Sequence, residues 1–245
     1  MFSYPRVMTA LALDQLPSQL SSLLVPARRL EAKRGHVPTP WSALNEILGG
    51  GWPRGALSQV HGPRSAGCTS VLYASLRATL ERGAVAALVD AESALDARRA
   101  ERAGIPLRQL LWVRASRKEA LKSTELLVAA GGFELVALDL GDSAPQVPAA
   151  AWIRLRQMAE RQGTALLLAA RFPLAGSFAT TSLHLQRKGI DFGAGMERPM
   201  DHPPLVTTLV SSVAVDRGRR STESFDHFSL LLHEPLCEVA KDARA

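Results

Sequence analysis

Cysteine is scarce in this chain: Cys68 and Cys237 are the only two in 245 residues, far apart and without a CxxC pair. With no histidine at zinc-ligand spacing nearby, this argues against a disulfide framework or a zinc site. Aromatic residues make up only 5%, which argues against a dedicated platform for stacking single-stranded bases. Long apolar runs are missing too. No stretch has the length and apolarity of a membrane span, and Met1 to Leu24 holds no uninterrupted block of the signal-peptide kind. The expected protein is soluble and cytoplasmic, with no membrane partner. What is present suffices for one substantial core, since 47% of the residues are hydrophobic. The net charge of +6 and a pI near 9.9 favour a polyanion, although basic and acidic residues are partly interleaved.

Along the chain, residues 1–40 read as an arm and linker: Leu11, Leu13, Leu16 and Leu20 hint at an apolar face, but Pro17 interrupts any helix there. Leu44, Ile47 and Leu48 make a helical turn that Gly49, Gly50 and Gly51 stop, and Trp52 to Gly55 reads as a turn into a strand over Ala56 to His61. An alternating rhythm follows. Helices are expected over Thr69 to Arg82, Leu95 to Ala103 and Ala149 to Arg161, with another opened by a capping box at Ser116 and Glu119 and ended at Gly131-Gly132. Strands are expected over Val85 to Asp90, Leu110 to Val113, Leu135 to Asp139 and Thr164 to Ala170. Such alternation predicts an α/β fold with a mostly parallel central sheet and helices on both faces. Leu205 to Val215 and Ser224 to Leu232 flank the turn-like Asp216 to Arg220, which predicts an antiparallel hairpin at the sheet's C-terminal edge. The division expected is 1–40 arm and linker, 41–234 core, and 235–245 tail.

The segment Gly62-Pro63-Arg64-Ser65-Ala66-Gly67-Cys68-Thr69-Ser70 follows a strand and opens a helix, the context of a phosphate-binding loop. In such loops glycines let backbone N–H groups turn around phosphate oxygens, a lysine reaches the outer phosphates, and a hydroxyl residue supports magnesium. Gly62, Gly67, Thr69 and Ser70 supply those parts. Cys68 stands where the lysine belongs, and a thiol carries no positive charge. Loss of one charge-assisted hydrogen bond, about 1.5–3 kcal/mol, corresponds to one to two powers of ten in affinity.

From about Pro40 to Glu234 the sequence resembles the RecA-type recombinases. Leu44-Asn45-Glu46-Ile47-Leu48-Gly49-Gly50-Gly51-Trp52-Pro53-Arg54-Gly55 is similar to that family's approach to its first strand, and Gly62 to Ser70 sits at its Walker A loop. Asp90-Ala91-Glu92-Ser93-Ala94-Leu95-Asp96 is similar to the segment whose glutamate activates water. The resemblance implies a RecA-like three-layer fold, Glu92 as the general-base position and Asp139 as the Walker B acid. It also implies departures. Arg171 falls near the position of a sensor glutamine. Gly141 to Ala149 and Phe172 to Ser182 occupy the places of the DNA-binding loops, but the second carries no positive charge. The long C-terminal domain is absent and the N-terminal oligomerisation element is abbreviated. A short, lysine-less core of this kind is similar to the ImuA-type proteins of bacterial mutagenesis cassettes.

Alternatives stand beside each assignment. Gly62 to Thr69 is either a nucleotide loop or an inherited strand-to-helix turn, Glu92 and Asp139 are either active carboxylates or relics, and Cys68 is either a reactive thiol or a small filler. Arg187, Lys188, Arg198, Arg217, Arg219 and Arg220 either track a DNA backbone or form a solvated hairpin. The function implied is a non-catalytic accessory protein in DNA repair and damage-induced mutagenesis. Its expected partners are a RecA-type recombinase or translesion polymerase components, with single-stranded DNA as a further candidate. No cofactor is required by that reading, and weak ATP–magnesium binding is what the surviving loop allows. A DNA-stimulated ATPase with an atypical loop and a plain DNA-binding module are the other readings.

Overall fold

A computed structural model describes residues 35–142, 146–192, 206–217 and 228–233. The strands are β1 (His36–Val37), β2 (Trp52–Pro53), β3 (Leu57–His61), β4 (Ala86–Asp90), β5 (Leu110–Arg114), β6 (Leu135–Asp139), β7 (Ala165–Ala170), β8 (Thr181–Phe192), β9 (Val206–Arg217) and β10 (Phe228–His233). The helices are α1 (Ser42–Leu48), α2 (Cys68–Glu81), α3 (Ala97–Arg102), α4 (Ala120–Ala130) and α5 (Ala149–Gln162). Eight strands form one sheet in the order β10-β9-β8-β3-β7-β6-β4-β5. From β8 to β5 all neighbours are parallel, while β9 runs antiparallel to both β8 and β10.

The apolar runs of β4, β6 and β7 form this sheet because side chains alternate between two covered faces. Leu88, Ala137 and Leu167 enter one core with Leu72, Leu76 and Leu80 of α2. Val89, Leu138 and Leu168 enter the other with Val128 of α4 and with Trp152 and Leu155 of α5. Both faces are therefore dry, and every residue of these three strands is buried. A two-stranded antiparallel sheet, β1 with β2, closes the start of the body. Val37 is fully buried there, and Trp52 donates its indole N–H to Ser75 Oγ on α2 at 2.9 Å. The chain thus joins the core already at His36, ahead of the boundary expected from Pro38 and Pro40.

Three local expectations are corrected. Ser116 Oγ donates to the Glu119 carboxylate at 2.6 Å, so the two side chains meet each other instead of capping backbone N–H groups, and α4 begins only at Ala120. Asp216 and Arg217 belong to β9 and not to a turn. Ser182 pairs with Arg217 while Leu183 pairs with Val215, so Asp216 is the extra residue of a bulge. The hairpin's own turn lies outside the described residues. Finally, β8 takes up Thr181 and Ser182, which sequence had given to a loop. Its Leu183 and Leu185 face the core, and the exposed polar run Gln186, Arg187 and Lys188 follows, a pattern that reads weakly as a strand.

The segment between β7 and β8 is tied to β3 by the Thr180 N–H, which donates to the Leu57 carbonyl at 2.7 Å, and by one buried side chain. Gln59 Oε1 on β3 accepts from the Ala175 backbone N–H at 3.0 Å, and Gln59 Nε2 donates to Ser182 Oγ at 2.9 Å. Replacing Gln59 by Leu strands both partners in a buried setting. The expected cost is about 2 kcal/mol in urea unfolding, with faster amide exchange confined to 172–180; unchanged exchange there would show that the segment is held by other means.

Candidate functional site

The C-terminal ends of the parallel strands open into a cleft of about 320 Å³ lined by the 62–70 loop, Glu92, Asp139, Asp142 and Arg171. This is where open α/β sheets place their ligands. Ser65 (φ 59°) and Gly67 (φ 95°) turn the loop so that α2, 14 residues long, starts at its floor with free N–H groups. Gly62 has a different constraint. A Cβ there would come within 2.2 Å of the Leu185 carbonyl oxygen on β8, so the neighbouring strand alone excludes a side chain.

Cys68 is the first residue of α2, and burial followed by the charge of Asp139 pushes its thiol up to about 12. At neutral pH it is an uncharged thiol, neither a cation for phosphate nor an activated nucleophile. Asp139, at the end of β6, is buried; it accepts the Gly141 N–H at 2.9 Å and a hydrogen bond from the Thr69 hydroxyl. Burial pushes its carboxyl up to about 6; the charges of Asp90 and Glu92 add to this, while the two hydrogen bonds oppose it. Thr69 and Asp139 together make the hydroxyl-plus-carboxylate donor set that suits a magnesium ion carried in on phosphates. Among the described residues no group of three or more His, Cys, Asp or Glu is arranged to hold a metal by itself.

Glu92 is positioned by a residue that sequence reasoning missed. Asp90 is almost fully buried at the end of β4 and accepts backbone N–H groups from Glu92 (3.3 Å), Ala94 (3.0 Å) and Leu95 (3.0 Å). Those bonds shape the turn through Ser93 (φ 53°) and delay α3 to Ala97. Glu92 Oε1 then accepts from Arg117 at 2.9 Å, and its other side lies against Gly141, where a Cβ would sit 2.5 Å from Oε2. Arg64, largely exposed, pairs with Asp142 across the cleft. Arg171 lies 5.4 Å from the centre of the Phe172 ring and donates its backbone N–H to Gly141. Arg64 and Arg117 are thus matched with carboxylates of the same site.

The structure brings Gly62, Gly67, Cys68, Thr69, Ser70, Glu92 and Asp139 to one cleft. Of the basic candidates, Arg187, Lys188 and Arg217 fall within the described residues. Arg187 and Lys188 are exposed on β8 beside a register shift, whereas Arg217 lies opposite Ser182, five residues or roughly 16 Å further along. Arg198, Arg219 and Arg220 lie outside the described residues. One further contact ties the loop's root to the hairpin: His61, just before Gly62, bonds Asp216 at 2.7 Å and stacks on His184 at 5.0 Å.

Because the folded pKa of Asp139 is raised, the folded state favours its protonated form, and its ionisation costs stability as pH climbs through about 6. Asp139→Asn is therefore expected to gain about 2–3 kcal/mol in chemical unfolding at pH 7.5 and nothing at pH 3.5. A gain independent of pH would mean that the carboxyl is not strained by burial.

The RecA N-terminal domain family matches residues 21–155, more than half of the chain. Protein RecA of Bacillus velezensis is 35% identical over 133 residues, which cover 53% of this chain and 38% of that protein. Protein RecA of Enterococcus faecalis is 33% identical over 120 residues, 48% of this chain and 34% of that one. The matched stretch spans little more than a third of these relatives' length. The crystal structure of the RadB recombinase superposes with a TM-score of 0.61 at 18% identity, covering 81% of this chain and 97% of that one, a likeness of fold. With that family matched over more than half of its length, the chain belongs to the RecA N-terminal domain family.

Proposed function

We propose that this protein serves DNA repair as an accessory factor that keeps the RecA-like body but acts by binding, not by ATP turnover. Its partner in this reading is a RecA-type recombinase or a translesion polymerase assembly, in the manner of the ImuA-type proteins. The observation that carries it is the neutral, half-buried thiol of Cys68 in place of a cation. Backbone N–H groups at the α2 terminus and the Thr69–Asp139 pair still suit a magnesium-bound phosphate. Nothing at position 68 neutralises the charge that develops when the outer phosphate leaves. Arg64 and Arg117 would first have to give up Asp142 and Glu92.

A DNA-stimulated ATPase is the second reading, favoured by the intact Thr69–Asp139 contact and by the turn that presents Glu92. The test is biosensor binding to the host recombinase, free and assembled on single-stranded DNA, with hydrolysis measured in parallel. The expected result is specific capture of recombinase with hydrolysis at background. Hydrolysis at the rate of a lysine-containing relative, abolished by Glu92→Gln, would give the enzyme reading the lead. Cys68→Lys alone is expected not to restore full turnover, because Arg171 also stands in a position that the related recombinases fill differently; full restoration would remove Arg171 from the explanation.

A further inference from the structure

His61 ends β3, and His184 is its register partner on β8; their rings stack with centroids 5.0 Å apart and planes 6° from parallel. Asp216 comes from β9, one strand further out, and its Oδ2 accepts from His61 Nε2 at 2.7 Å. That bond spans β8 and joins two strands that are not neighbours. Asp216 reaches across because it is the extra residue of the bulge, released from the ladder and re-aimed. The His61 side chain is nearly buried, while that of Asp216 stands at the surface. After β3 has ended, β8 runs on from Leu185 to Phe192 paired with β9, so the three side chains sit at the base of a ribbon that rises past the end of β3. Gly62, the residue after His61, packs against the Leu185 carbonyl at that same base.

We propose that His61, His184 and Asp216 form a proton-operated latch: neutral His61 holds the β8–β9 ribbon against the root of the 62–70 loop, and a proton on His61 loosens it. Histidine is the side chain that changes charge near neutrality. Burial works against its cation, Asp216 offsets part of this through its hydrogen bond and charge, and His184 adds to the opposition, so His61 is held below the usual histidine range. The folded arrangement therefore favours the neutral ring. Its stability is full above the unfolded pKa and is lost as pH falls from there toward the folded value. Asp216 from β9 and His184 from β8 are the charges that act on His61. Of the other neighbouring elements, β7 places Ala170 opposite it, residues 172–180 carry no charged side chain, and the Arg171 guanidinium lies over the Phe172 ring.

The test is amide hydrogen exchange and histidine-ring NMR on the full chain between about pH 7.5 and about pH 5.5, which brackets the usual histidine value. Once the chemical exchange rate is divided out, protection of Leu183 to Arg187 and Val210 to Ala214 is expected to fall about fivefold while that of β4 does not, a size that one proton allows over this range. His61 is expected to titrate below an exposed histidine, and the Gly62 and Leu185 amide resonances should move with the same midpoint. His61→Gln, which keeps a donor for Asp216 but takes no proton, should remove the fall in ribbon protection. His184→Gln leaves His61 and Asp216 in place, removes the neighbouring cation, and should raise the His61 midpoint. The proposal is overturned if ribbon protection does not fall, if His61 titrates above an exposed histidine, or if folded His61→Gln keeps the wild-type pH dependence. Should His61→Gln fail to fold, the wild-type protein decides alone: matching midpoints for His61 and the ribbon support the latch, and differing ones overturn it. The latch goes beyond the accessory role argued above and stands without it, since no partner enters the measurement.

Discussion

Asp90 and Asp139 sit directly opposite each other where β4 and β6 end, and both are buried. Two carboxylates so placed repel, and the parallel register gives neither one room to leave. The structure resolves the conflict asymmetrically. Asp90 accepts three backbone N–H groups, and in doing so it folds the turn that carries Glu92. Asp139 is left with Gly141 N–H and the Thr69 hydroxyl, and burial first, with the charge of Asp90 adding to it, pushes its carboxyl up to about 6. Gly141 adopts a left-handed backbone (φ 56°) that favours glycine, Glu92 lies against it, and Arg117 neutralises Glu92 from the opposite side. The cleft is thus organised around one pair of like charges.

That organisation explains why the absent lysine matters beyond a single contact. A cation at position 68 would lie close enough to Asp139 to relieve its strain as well as to meet a phosphate; in its place the acid raises the thiol, and burial dominates both groups. The remaining guanidiniums of Arg64 and Arg117 are matched to Asp142 and Glu92, so a phosphate entering the site competes with partners that are already bonded.

The fold was legible wherever burial is two-sided. β4, β6 and β7 are uninterrupted apolar runs, and their extents in sequence and structure agree within a residue at each end. β8 was not legible, because one of its faces carries His184, Gln186 and Lys188, and its neighbour Asp216 enters the sheet through a bulge that no local pattern announces. In the site, the loop, Glu92 and Asp139 could be read because each follows a strand in a recognisable run. Arg117, Asp142 and the role of Asp90 could not. Their contacts depend on which loops the sheet order brings together, with Arg117 25 positions from Glu92 and Asp142 78 from Arg64. Of the basic residues expected on the hairpin, Arg187 and Lys188 stand five or more residues along the strands from the position opposite Arg217, since closeness in sequence along extended strands is distance in space, and Arg198, Arg219 and Arg220 lie outside the described residues.

Gly62 looks like a mark of phosphate chemistry, yet the carbonyl of Leu185 stands where its side chain would be. Any lineage that keeps β8 beside β3 must keep this glycine, whatever becomes of the ligand. The shape of the loop at this point is therefore set by the packing of one strand on another, and its glycine would be required there with or without a phosphate.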